Sequence, residues 1–298
     1  MSGAAGRSAP PPADNDDSAG QDSPHLDQRE QEQAAEHAAP KALVIHEVVR
    51  EEGEIELRRH NSALFWSGLA AGLSMGFSLL AMALIRAGLP DEPWRRLVDA
   101  PGYSVGFVIA ILGRQQLFTE STLTAVLPLM VRRDLATFAS VLRMWSVVLA
   151  ANLLGTIAFA YLISREGVFA EPVREMLGEI GQEVLEGPSG PKFLKAMLSG
   201  WLIALMVWLL PSARSARILV ILLLTYVVAI AQLPHVVAGS AEVAYAVWTG
   251  HAGAADYLWR FLLPTLFGNI AGGVALVAFL NHAPLVPELK EEVASPAK

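Results

Sequence analysis

One histidine, His235, stands directly after a proline inside a hydrophobic run from Ile218 to Gly250, and Thr119 and Glu120 lie at the matching place in an earlier run, Pro101 to Val131. Imidazole changes charge nearest neutral pH, so His235 can pass a proton to a weak-acid anion or hold the anion by charge. Both runs are interrupted there, the first by Gly113-Arg114-Gln115-Gln116-Leu117-Phe118-Thr119-Glu120 and the second by Gln232-Leu233-Pro234-His235. Unwound backbone is tolerated in a bilayer only where protein or a water-filled path satisfies its polar groups. Paired interruptions in two halves of a chain therefore point to a transport site. Half-helices starting near Ser121 and near Val236 would aim their positive dipole ends at one midplane region, where an anion is attracted.

Energetics favour a proton step at such a place. Carrying a bare anion across an apolar constriction costs up to roughly tens of kcal/mol in the unrelaxed limit. Protonating a carboxylate whose pKa lies roughly 3 to 4 units below neutral costs about 4–5 kcal/mol, so passage as the neutral acid wins. A lone membrane histidine can equally serve structure, bonded to backbone, and the residues alone leave both readings open. Arg114 and Glu120 form an internal ion pair holding the loop on one reading, whereas on the other Arg114 collects anions at the entrance. Thr119 is a candidate cap for the second half-helix. Asn152 and Asn269 are expected to tie down loop backbone, and Arg143 to sit at the membrane boundary.

Positioning these groups requires membrane spans, each of roughly 20 apolar residues. Residues 61–85, 144–164 and 196–213 carry no charge, and 261–287 only His282, which with the two interrupted runs makes six spans in a domain covering 61–282. A soluble helix would show a polar stripe every turn, and 53% hydrophobic against 17% charged residues fits the membrane class. Residues 1–40 are rich in Pro, Ala, Ser, Gln and acids and read as a disordered cytoplasmic tail without a cleavable signal peptide. Residues 41–60, with Leu43, Val44, Val48, Ile55 and Leu57 among Glu and Arg, read as an amphipathic helix, and 283–298 as a C-terminal tail. The net charge of −7 is concentrated in the N-terminal tail and in a glutamate-rich loop from Arg165 to Lys195, unlike a nucleic-acid surface. Lys and Arg slightly outnumber on the side of both termini, which places those termini in the cytoplasm. The absence of cysteine excludes disulfides, thiolate metal sites and thiol nucleophiles.

The two halves repeat each other: Ser67-Gly68-Leu69 matches Ser199-Gly200-Trp201, and Asn152-x-x-Gly155 matches Asn269-x-x-Gly272. Three spans per half force the halves to be inverted, an all-α membrane fold with a 3+3 repeat and broken helices 2 and 5.

Leu117-Phe118-Thr119, Asn152-x-x-Gly155, the histidine of Pro234-His235-Val236-Val237-Ala238 and Gly268-Asn269-Ile270-x-Gly272-Gly273 together resemble the formate/nitrite transporter family over about residues 63–281. The resemblance implies homopentamers of aquaporin-like six-helix subunits in the inner membrane. Each would have its own pore, passing small monovalent anions or their acids such as formate, nitrite, acetate, lactate or hydrosulfide, with no cofactor. It makes His235 the central pore histidine, Thr119 the loop threonine and Asn269 the span-six asparagine, and puts Tyr103, Phe107 and Leu117 at one apolar constriction. Departures from the family pattern are Val228 for Phe at the other constriction, Gly239 for Asn after the histidine, Ala204 for Asn in span four, and Pro234 for Glu. Lys192 and Lys195 both compete for the family's lysine before span four. The chain is thus similar to a divergent, YfdC-like branch.

Gly102-Tyr103-Ser104-Val105-Gly106 fits the nucleophile-elbow pattern of hydrolases, but it falls in a membrane helix rather than after a strand. Metalloprotease and phosphate-loop motifs do not occur, so no enzyme is expected. A sensor or scaffold whose pore no longer conducts, or a small neutral-solute channel, are the alternatives on the same fold.

Overall fold

The computed structural model describes residues 23–38 and 40–278, whose regular elements are all helical. The described residues before Ile45 form a unit of their own. Within it, α1 (Gln28–His37) begins with a capping box: the Asp27 carboxylate accepts from the Arg29 and Glu30 N–H groups, and Glu30 accepts from the Asp27 N–H at 2.9 Å. Part of the stretch expected to lack order is therefore helical. Residues 1–22, His282 and the C-terminal tail at 283–298 lie outside the described residues.

From Ile45 onward the helices form one body. In α2 (Ala42–Arg58) the inward residues are His46, Val49 and Gly53, while Val44, Val48 and Ile55 are exposed. Ile45 and Leu57 pack against the core beside them, so the expected apolar face is only partly buried. Three stretches are long and apolar enough to cross a membrane: α3 (Asn61–Ala87), α7 (Leu135–Ile163) and the run Ser189–Ile230. That run comprises α9 (Ser189–Ala213), a 3₁₀ turn and α10 (Arg217–Ile230). The segment between α3 and α7 is divided into α4 (Arg95–Leu112), α5 (Phe118–Thr124) and α6 (Val126–Arg132). After α10 come α11 (Val236–Trp248) and a last helix whose centre, α12 (Leu263–Ala271), is flanked by wider π-helical turns at Asp256–Leu262 and Gly272–Ala278.

The connection from Arg165 to Lys195, expected as a loop, contains α8 (Glu171–Leu185). Pro172 suits its first turn, and Leu177, Ile180 and Leu185 turn inward, Glu171 and Glu175 face solvent, and Glu183 reaches the arginines of α3 and α4. Its polar composition hid an amphipathic helix.

Small residues set the closest approaches. A Cβ on Gly72 of α3 would collide with the Asn152 carbonyl of α7, and one on Gly200 of α9 with the Asn269 carbonyl of α12. The two asparagines thereby sit at backbone-to-backbone contacts in both halves.

Asp134 caps α7, accepting from the Thr137 N–H and hydroxyl, each at 2.8 Å. The Thr137 backbone N–H holds its carboxyl below the usual value. A depressed folded pKa contributes stability that is present above the unfolded value and lost as pH falls through the folded one. Asp134→Ala should therefore lower the thermal midpoint near neutral pH, with the gap to wild type closing below about pH 4. Thermal unfolding in detergent across pH measures this, and a gap that stays constant with pH would show that the carboxylate is not the cap.

Candidate functional site

Two chain breaks build the site, and they are built alike. After α4, Arg114 takes a left-handed conformation (φ 49°) and the Gln115 N–H reaches back to the Ala110 carbonyl at 2.9 Å. Leu117 is then extended, and α5 starts at Phe118 rather than near Ser121. After α10, Gln232 is left-handed at the same φ, the Leu233 N–H reaches the Val228 carbonyl at 3.0 Å, His235 is extended, and α11 starts at Val236. Left-handed backbone costs a non-glycine residue roughly 1–2 kcal/mol, so the surroundings must hold it.

The asparagines provide that hold. Asn152 Oδ1 accepts from the Phe118 N–H at 2.9 Å, and its Nδ2 donates to the carbonyls of Gln116 at 3.0 Å and Gly68 at 2.7 Å. Asn269 Oδ1 accepts from the Val236 N–H at 2.8 Å, and its Nδ2 donates to Pro234 O at 3.1 Å and Ala196 O at 2.8 Å. Both asparagines are fully buried. Each clamps the first N–H of a half-helix and the carbonyl two residues earlier, which makes Leu117 and His235 equivalent positions.

The His235 ring bridges the two breaks. Its Nδ1 accepts from the Ala238 N–H at 3.1 Å, capping α11. A nitrogen that accepts carries no proton, so the neutral ring holds its proton on Nε2, which lies 2.7 Å from Thr119 Oγ1. Thr119 therefore meets the histidine instead of capping its own helix, and its hydroxyl keeps a proton to offer. The Phe107 ring packs edge-on at 5.1 Å from the imidazole, with Tyr103 at 5.3 Å from Phe107.

A cavity of about 320 Å³ reaches His235 from the side of α8. Tyr103 and Val228 share its wall, while Phe107 and Leu117, expected to act with Tyr103, do not line it. Lys192 and Lys195 apart, its charged groups were missed from sequence. Arg86 Nε donates to Asp99 at 2.6 Å and its Nη1 to Glu183 at 2.8 Å, while Arg96 donates to Glu183 at 2.9 Å, tying α8 to α3 and α4. Of the two candidate lysines, Lys192 is 5% exposed and its Nζ has no hydrogen-bond partner among the described residues, whereas Lys195 is exposed. Glu242, also in the wall and 5% exposed, is the lone carboxylate between residues 218 and 250. An isolated acid within a membrane segment is itself the signal that would have found it.

Arg114 and Glu120 do not pair. Arg114 is exposed and lies 3.7 Å from Glu52 of α2, because its turn faces outward, while Glu120 falls beyond the break with Oε1 unpartnered among the described residues. The α2 helix packs here: Thr124 donates to Glu56 at 2.7 Å and Arg59 to Gln116 at 2.9 Å. Burial pushes the Glu56 carboxyl above its ordinary value, with the Thr124 hydroxyl offsetting part of the shift. Arg143 donates to the Leu57 and Arg59 carbonyls at 2.6 and 3.2 Å, fixing the α2–α3 corner. Ser104 lies in the middle of α4, where it accepts from the Thr225 hydroxyl at 2.7 Å. The glycine at 239 has a local cause, since a Cβ there would stand 2.6 Å from the buried Phe261 ring. Ala204 is fully buried in α9.

Helices broken at matching places, with their inner starts meeting at a buried histidine beneath a polar cavity, define a membrane transport protein. The chain belongs to the formate/nitrite transporter family, whose profile it matches over residues 43–283. It is 42% identical to the inner membrane protein YfdC of Escherichia coli over 87% of this chain and 83% of that protein. To the formate channel BtFdhC of Bacillus thuringiensis it is 25% identical, over 80% of this chain and 93% of that one. Two solved structures share the fold at 19% identity: an FNT family ion channel (TM-score 0.70, covering 85% of this chain and 99% of that one) and a pentameric formate channel with formate bound (TM-score 0.62, 76% and 98%).

Proposed function

We propose that this chain is a transmembrane channel for small monovalent anions or their weak acids, of the formate, nitrite, acetate, lactate and hydrosulfide class. The observation that carries this reading is the Thr119–His235 contact, which joins the starts of two half-helices at the end of a polar cavity. The anion is drawn into the cavity by Lys192 and by the positive helix starts, and it crosses the apolar stretch at Tyr103, Val228 and Phe107 as the neutral acid. Thr119 and His235 offer it hydrogen bonds on the way. The working fold is six spans in an inverted 3+3 repeat, a reading supported by the twin asparagine clamps. The functional unit is a homopentamer with one pore per subunit, sitting in the inner membrane with both termini cytoplasmic. Support comes from the similarity to a pentameric formate channel and to an inner membrane protein.

Stopped-flow uptake by proteoliposomes tests this. Formate, nitrite, acetate, lactate and hydrosulfide are screened at two pH values, and uptake of at least one is expected well above protein-free vesicles. Intact assembled protein that moves none of them would refute the channel and favour a sensor or scaffold on the same fold.

A further inference from the structure

Glu242 lies two helical turns beyond His235 on the same face of α11, and both line the cavity. Its side chain is 5% exposed and borders the cavity, and no hydrogen bond or ion pair ties it to another described residue. The charges that face it come from several helices. Arg86 on α3 and Arg96 on α4 are both committed to carboxylates, Arg86 to Asp99 and Glu183 and Arg96 to Glu183. Glu186 follows α8, and Lys192 and Lys195 stand on α9. Tyr103 of α4 shares the wall, and the Tyr257 hydroxyl is spent on Ser240 at 3.0 Å. Helices α5, α7 and α12 add no ionisable side chain to this wall. The α8 backbone closes over Glu242 at Gly181, where a Cβ would collide with the Glu242 carbonyl.

An unpartnered buried carboxylate costs stability, so it is retained for something other than packing. His235 is poorly placed to store a second proton, because its Nδ1 is already held by the Ala238 N–H and charging the ring would give up that cap. We propose that Glu242 is the proton-exchanging group of this vestibule, the one that loads and unloads the permeating acid. The step rests on the channel reading above. A weak-acid anion beside Lys192 takes the Glu242 proton: the glutamic O–H bond breaks, the O–H bond of the acid forms, and the neutral acid moves past Tyr103 and Val228. The Glu242 carboxylate, left in the same cavity as Lys192, is reprotonated by hydronium from the water on the α8 side. Reversing these steps releases the anion.

Glu242→Gln keeps shape and hydrogen-bonding capacity but cannot titrate, and Glu242→Asp retains the acid. Formate flux in proteoliposomes is followed together with internal pH, from about pH 5 to about pH 8. The Gln variant should lose at least about tenfold in flux near neutral pH and follow only the bulk concentration of neutral formic acid. The Asp variant should keep the wild-type profile at a lower rate. A Gln variant whose rate and pH profile superimpose on wild type overturns the proposal while leaving the channel reading intact. Infrared pH-difference spectra of the purified full chain give a second readout: a titrating carboxyl band that shifts on adding formate in wild type and is missing in Glu242→Gln. Should wild type carry no formate at all, this spectrum decides alone, and identical spectra for the two proteins overturn the site.

Discussion

Asn152→Ala is expected to destabilise the protein by about 3–5 kcal/mol and to abolish correctly assembled material. It leaves the Phe118 N–H and the Gln116 carbonyl unpartnered in a fully buried place, and takes a second bond from the Gly68 carbonyl, which keeps its helical partner within α3. Each orphaned polar group costs roughly 1–3 kcal/mol, and relaxation recovers part of the sum. Asn269→Ala removes the same clamp from Val236, Pro234 and Ala196 and should cost as much. Asn152→Asp is the informative companion. It still accepts from the Phe118 N–H but donates to neither carbonyl and adds a buried charge, so it should fare no better than alanine. Thermal unfolding and size-exclusion profiles in detergent read all three. Variants that stay within about 1 kcal/mol of wild type would mean the breaks are held by helix packing and not by the asparagines.

The second large effect concerns flux. His235→Ala removes the bond to Thr119 and the cap on Ala238 together, and formate flux should fall by about a hundredfold or more. His235→Asn can still accept from the Ala238 N–H, since asparagine is a good N-cap, so it should assemble normally while losing most of the flux. Thr119→Val breaks the same contact from the other side. Because each variant removes one shared interaction, His235→Asn with Thr119→Val should be clearly less than additive. Neither ring substitution leaves a titratable group at the site. Two well-assembled histidine variants that conduct at the wild-type rate would make His235 a structural residue.

The sequence by itself determined what local composition can encode. Uncharged stretches long enough to cross a bilayer, and glycine, proline and glutamine breaking two of them, are short-range signals, and they put His235, Thr119, Asn152 and Asn269 on the list without any knowledge of contacts. The repeated Asn-x-x-Gly spacing likewise pointed to paired structure before any packing was known. Only the tertiary structure decided which groups meet. Thr119 and His235 are 116 positions apart, and only the clamped breaks bring their side chains to 2.7 Å. Arg114 and Glu120, six positions apart, are turned to different surroundings by a left-handed residue between helices. The vestibule was invisible for a further reason. Arg86, Asp99, Glu183 and Glu242 come from four helices, one of them the polar α8, and each alone reads as an ordinary charge near a span end or within a helix. Hydropathy along a chain reports what a segment prefers as its surroundings, whereas the partner of a buried charge is set by packing between segments distant in sequence, which no local pattern records.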